Sequence, residues 1–138
     1  EKRAEAAAAL RAAGQDAAVL ADAHSIAWLL NIRGGDLAHT PLVLGFGLLR
    51  ADAGADLFVE PGKIGPEVRT HLGNDVAVQP RAALPAALAA LRGRHVRLDA
   101  EATPAWFAQA LRAAGAVVEG GDNPCRMPRA CKNAVEQQ

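Results

Sequence analysis

The stretch VAVQPRAALPAALAALRGRHVRLDAEATPAWFAQALRAAGAVV, residues 76–118, moves back and forth between two hydrophobic periods, and that alternation decides the fold class. Short apolar runs at 76–78, 95–98 and 117–118 read as buried strands. Between them, Leu84 to Leu91 and Pro104 to Ala113 carry apolar residues at helical spacing. Pro104 stands where a helix begins and a missing N–H costs little, while Gly93 and Gly115 stand where two helices should stop. Strand, helix, strand, helix, strand is the pattern of βαβ units, so this half of the chain predicts a largely parallel sheet covered by helices.

Upstream, Pro66 opens a helix predicted over 66–72. The apolar run 42–49, with Gly45 and Gly47 interleaved, and the run Leu57-Phe58-Val59 flank the turn-forming cluster Asp52-Ala53-Gly54 and predict a β-hairpin. Arg3 to Ala13 reads as a first helix stopped by Gly14, and Ala17 to Ala21 as a strand between two aspartates. Asp22 is placed to cap a short helix through Trp28 and Leu30, with Gly34-Gly35 ending it. A hairpin joined to parallel units gives the expected class: α/β, a mixed β-sheet flanked by helices. After Glu119 the run Gly120-Gly121-Asp122-Asn123-Pro124 suits neither helix nor strand. It divides a domain at 1–121 from a segment at 122–138, where Met127 to Glu136 read as the first turns of another helix.

The 138 residues hold 15 Lys plus Arg and 15 Asp plus Glu, so the net charge of zero gives no field that draws nucleic acid or an anionic membrane. No apolar run approaches the ~20 residues that span a bilayer. The two cysteines, Cys125 and Cys131, suit free thiols in a reducing cytoplasm better than a disulfide scaffold.

The loop that follows Ile32 holds the candidate site. Gly34 and Gly35 free the backbone to turn, and Arg33, Asp36 and His39 bring charge and a titratable ring into one short segment that could line a pocket near a substrate. An equally weighted reading pairs Arg33 with Asp36 or with strand-end carbonyls. His24, His39, His71 and His95 have no metal-ligand partner at helical spacing, and no His-Glu-x-x-His or Cys-x-x-Cys occurs, so no metal site is expected within this chain. Catalytic residues are expected to be none: Ser25 lies at a helix start, where capping is its natural task. Gly45-Phe46-Gly47 lacks the third glycine of a dinucleotide loop, and Pro61-Gly62-Lys63 lacks the spacing of a phosphate loop. Trp28 and Trp106 read as core anchors.

Two blocks carry a family resemblance. Ser25-Ile26-Ala27-Trp28-Leu29-Leu30-Asn31, followed by Arg33-Gly34 and Asp36, resembles the S-I-A-W-L-L-N-x-R-G-x-D run in the middle, creatinase-N-like domain of three-domain Xaa-Pro aminopeptidases (aminopeptidase P, peptidase family M24). Asn123-Pro124, Pro128, Ala130 and Lys132-Asn133 resemble the hinge that leads into their catalytic domain. The resemblance implies a creatinase/prolidase N-terminal-domain-like fold and a place in a metalloaminopeptidase that removes an N-terminal residue preceding proline. It implies two divalent metals, usually manganese, held by a catalytic domain outside this chain, and no cofactor within it. The chain alone would be inactive and would help to enclose the active site. Arg33, Asp36, His39 and Pro41 match the family's R-G-x-D-x-x-H-x-P loop. Implied partners are the first and catalytic domains of the same polypeptide and proline-containing peptides, in a cytoplasmic enzyme that forms a homodimer. The competing expectation is a stand-alone α/β ligand-binding or protein-interaction module without peptidase activity, because fold alone does not choose between them.

Overall fold

In the computed structural model, which describes residues 1–32 and 45–131, the chain runs α1 (Lys2–Ala12), β1 (Ala17–Leu20), α2 (Ala23–Leu30), β2 (Phe46–Arg50), β3 (Ala55–Phe58), α3 (Pro66–Leu72), β4 (Val76–Gln79), α4 (Leu84–Ala89), β5 (His95–Leu98), α5 (Ala105–Ala114), β6 (Val117–Gly120) and α6 (Arg126–Ala130). The strands form one sheet in the order β4-β3-β2-β1-β5-β6. β1 pairs in parallel with β5, β5 with β6, and β3 with β4, while β2 is antiparallel to both β1 and β3. Only β2 is reversed, so the ends of the other five strands and the start of β2 share one edge of the sheet.

Successive strand residues point to opposite faces, and the sequence loads both with apolar side chains. On one face Ala18, Leu20, Leu49 and Leu57 meet Leu10 of α1, Ile26 and Leu29 of α2 and Leu72 of α3. On the other, Val19, Leu48, Phe58 and Val96 meet Leu84 and Leu88 of α4 and Phe107 and Leu111 of α5. Sheets buried on both sides read as continuous apolar runs, which is why 17–20 and 46–49 show no polar alternation. α1 lies close to the sheet through Ala6 and Ala7, both fully buried, and reaches the hairpin turn with two guanidiniums. Arg3 Nη1 donates to the Ala53 carbonyl at 2.6 Å, and Arg11 donates to that of Ala51.

The mixed sheet and its flanking helices match the expectation. The hairpin is present, its turn closed by the Asp52 carboxylate accepting from the Gly54 amide at 2.8 Å. β3 begins two residues before the predicted Leu57, because Ala55 already pairs with Leu49 on one side and Val76 on the other. α2 ends at Leu30 and not at Gly34-Gly35: Asn31 takes the left-handed conformation at φ 53°, which asparagine tolerates better than most residues. Trp106 is 44% exposed on the first turn of α5, so it is a flank of the second core and not an anchor within it.

Gly45, the residue that leads into β2, is held by proximity. A Cβ there would lie 2.6 Å from both the Phe58 carbonyl oxygen and Val59 Cγ1, a distance at which backbone must move. Gly45→Ala is therefore expected to cost about 1–3 kcal/mol. The check is a urea midpoint lowered at unchanged m; an unshifted midpoint would show that β3 yields freely.

Candidate functional site

In an open α/β sheet the crevice for a ligand lies at the strand ends, between neighbouring parallel strands whose following helices pack on opposite faces. β1 and β5 form such a pair, since α2 joins the first core and α5 the second. Asp22 follows β1 after one residue, Asp99 follows β5 directly, and both carboxylates line the recess between. The outgoing segment after β6 enters the same space with Asn123, which is 8% exposed, and Arg129.

Asp22 caps α2 as expected, accepting from the amides of His24 at 3.1 Å and Ser25 at 3.3 Å. The Ser25 hydroxyl, fully buried, donates to Asp22 Oδ2 at 2.7 Å and accepts from Asn123 Nδ2 at 2.8 Å. Asn123 Oδ1 accepts from the Cys125 amide at 2.9 Å, and the Asn123 amide donates to Asp99 Oδ2 at 3.0 Å. Asp99 also accepts from the Glu101 amide at 3.1 Å. Arg129 Nη1 closes the circuit on Asp22 Oδ2 at 2.8 Å. A recess of about 280 Å³ remains over this network, lined by its own side chains together with Glu101, Ala102 and Arg126.

Burial pushes the Asp22 carboxyl up, but the Ser25 hydroxyl, the His24 amide and Arg129 together outweigh it and hold the pKa below the ordinary value. A lowered carboxyl pKa contributes stability that is complete above the unfolded-chain value and is lost as pH falls through the folded one. The fully buried Cys125 thiol is pushed up to about 12 by desolvation, which removes it from nucleophilic chemistry at neutral pH. Ser25 is likewise not activated: it gives its proton to an anchored carboxylate, while His24 Nδ1 lies 3.4 Å from the other oxygen of Asp22. Every polar side-chain contact in the crevice is made to another part of the same chain. The arrangement is a brace.

A second concavity, a groove of about 610 Å³, opens where α1, α2, α3 and α6 meet. Glu1, Lys2 and Arg3 line it on one side and Pro128 and Cys131 on the other, with Trp28 between them. Lys2 Nζ lies 4.9 Å from the centre of the Trp28 ring, whose buried Nε1 has no partner among the described residues.

Arg33, Asp36 and His39, with Pro41, lie outside the described residues, as do Lys132 and Asn133. What is described of that loop is its two roots, the buried Ile32, whose amide donates to Ala27 at 3.1 Å, and Gly45 at the sheet edge. His71, at the end of α3, approaches Leu30 of α2, with Nε2 3.1 Å from the carbonyl oxygen. His95 Nδ1 lies 2.7 Å from Glu119, which accepts from Gln15 at 2.9 Å as well; the His95 contact, then Gln15, lowers the Glu119 pKa. Among the described residues no three His, Cys, Asp or Glu side chains converge as a metal-binding set. None of their helices is long and apolar enough to cross a membrane.

Asn123, Asp99, Arg129 and Cys125 were missed as a set by reasoning on sequence. The signal lay in two aspartates placed at the ends of parallel strands; Asn123, within the run 120–124, carried no signal beyond that of a loop.

Comparison with known proteins agrees with this architecture. Residues 1–136 match the Creatinase/Prolidase N-terminal domain family. The "Probable Xaa-Pro aminopeptidase P" of Aspergillus fumigatus is 32% identical over 120 residues, which cover 80% of this chain and 18% of that protein. The chain thus spans less than a fifth of the length of that relative. The crystal structure of X-prolyl aminopeptidase from Caenorhabditis elegans superposes with a TM-score of 0.81 at 20% identity, over 96% of this chain and 22% of that one. The N-terminal domain of cytoplasmic peptidase PepQ from Mycobacterium tuberculosis, a chain of domain size, superposes with a TM-score of 0.64 at 18% identity, over 91% of this chain and 96% of that one. At those identities the likeness is one of fold. The chain belongs to the creatinase/prolidase N-terminal domain family.

Proposed function

We propose that this chain is the non-catalytic middle domain of a metal-dependent Xaa-Pro aminopeptidase of the cytoplasm, which releases an N-terminal residue preceding proline. The observation that carries the reading is the 32% identity to an Xaa-Pro aminopeptidase P across 80% of the chain. The crevice supports it too: where a free-standing α/β binding module would offer free polar groups to a ligand, Asn123 and Arg129 pair with those of Ser25 and Asp22.

The donor sets among the described residues do not suit a metal pair, so the divalent metals, with manganese the expected ion, belong to another part of the polypeptide. The domain's own contribution is steric. Its rigid sheet fixes Ile32 and Gly45, and through them the roots of the loop bearing Arg33, Asp36 and His39, which we assign to the wall that limits access to the catalytic domain. The first and catalytic domains of the same chain are its partners, in an enzyme that forms a homodimer.

The test compares the full-length gene product with residues 1–138, each supplied with manganese, on a peptide with proline in second position and a matched peptide with alanine there. Release of the first residue only from the proline peptide and only by the full-length protein is the expected result. Hydrolysis by residues 1–138 alone, or none by the full-length protein, would overturn the reading and leave the binding module as the better account.

A further inference from the structure

α6 is attached to the domain in an unusual way. None of its own residues, Arg126 to Ala130, is buried, and Met127 is 67% exposed. The chain just before it is fastened firmly: Cys125 is fully buried in the first core, and Asn123 is bonded on three sides, to Ser25, to Asp99 and to the Cys125 amide. Beyond Cys125, among the described residues, the polar attachment of α6 to the rest of the domain runs through one side chain, Arg129, to Asp22 and at 3.4 Å to the Ser25 hydroxyl, while Arg126 reaches Asp122, four residues back, at 3.7 Å.

We propose that α6 is a hinged latch. Cys125 and Asn123 are the pivot, and the Arg129–Asp22 pair is the catch that sets the angle of α6 against α2. Apolar burial tolerates sliding, whereas a charge-assisted hydrogen bond to a carboxylate fixed by an N-cap is directional, so the catch defines one orientation. A half-exposed ion pair is also weak and sensitive to salt, so the closed position is held by a small margin. The groups that face Asp22 are His24 and Ser25 on the helix it caps and, across the crevice, Arg129 and Arg126, with Asp99 behind Asn123. Opening the catch releases α6, whose five residues are too few to stay wound without the domain, and uncovers the crevice while the sheet stays folded. This inference stands whether or not the peptidase reading holds.

Amide hydrogen exchange on the 138-residue chain tests it, because α6 and the sheet then exchange through different openings. The amides of Arg129 and Cys131, which donate to Cys125 and Met127, report the latch. In Arg129→Met they are expected to exchange about five- to tenfold faster, with β1 and β2 amides unchanged. Asp22→Asn, which keeps the N-cap, is expected to do the same, and the double variant to add little to either single one. Unchanged exchange in α6 would overturn the proposal, as would equal acceleration in α6 and in β1 and β2, since α6 would then belong to the global unit. Additive effects of the two substitutions would show that Arg129 and Asp22 are not each other's catch.

Discussion

Phe107→Ala is expected to lower stability by about 3–5 kcal/mol. Phe107 is 1% exposed and contributes one of only three phenylalanines in the chain. Its ring meets Phe46 edge-on at 5.0 Å and Trp106 at 5.0 Å, so it joins α5 to the start of β2. Around it are Leu88, Leu111 and Val96, held by a close-packed sheet that cannot collapse into the void. Against a total of roughly 5–15 kcal/mol for a domain, the loss removes much of the margin. Thermal unfolding should show a midpoint lower by on the order of 10 °C. A drop under ~3 °C would mean that Trp106 swings inward to fill the space.

Asn123→Ala is expected to cost about 2–3 kcal/mol, more than its few atoms of packing explain. The substitution removes the acceptor of the Cys125 amide and the donor to the Ser25 hydroxyl, both in buried surroundings. It leaves a backbone N–H without a partner, and the full desolvation cost of that group falls on the folded state. Asn123→Asp separates this from shape, since it preserves volume and the acceptor but puts a carboxylate beside Asp22 and Asp99. Denaturant titration should find the Asp variant at least as destabilised as the Ala variant at neutral pH and less so under acid, where the new carboxyl is protonated. Equal midpoints for wild type and Asn123→Ala would show that Cys125 burial alone holds the segment.

Most of the fold was legible because strands and helices in this chain differ in period and are punctuated by residues with one reading. Gly115, in the left-handed region at φ 87°, ends α5 where the sequence places it, and Asp22 caps α2 through its own carboxylate. The end of α2 was misplaced because two glycines are a stronger written signal than one asparagine, although Asn31 takes the cap. Trp106 was misread because the hydrophobicity of a side chain does not say which side of a helix meets the sheet; Phe107, its neighbour, takes the core position. The crevice was harder. Its members stand at positions 22, 25, 99, 123 and 129, and nothing local to any one of them indicates the others. Their meeting depends on β1 and β5 being neighbours, a fact of strand order that no window of sequence contains. Cys125 shows the same limit: a thiol in a proline-containing connector reads as surface, yet it occupies the first core.

The groove between α1 and α6 has a consequence for chain connectivity. Residues 1–3 and residues 128 and 131 line the same concavity, so the start of α1 and the end of α6 are neighbours on the domain surface. Ends that lie together make a domain an excursion that another protein can host between two of its own segments, or a ring that can be reopened elsewhere, with little loop-closure entropy to find. The turn at Asp52–Gly54 is a poor place to open such a ring, because Arg3 and Arg11 of α1 tie its carbonyls at Ala53 and Ala51 to the first helix.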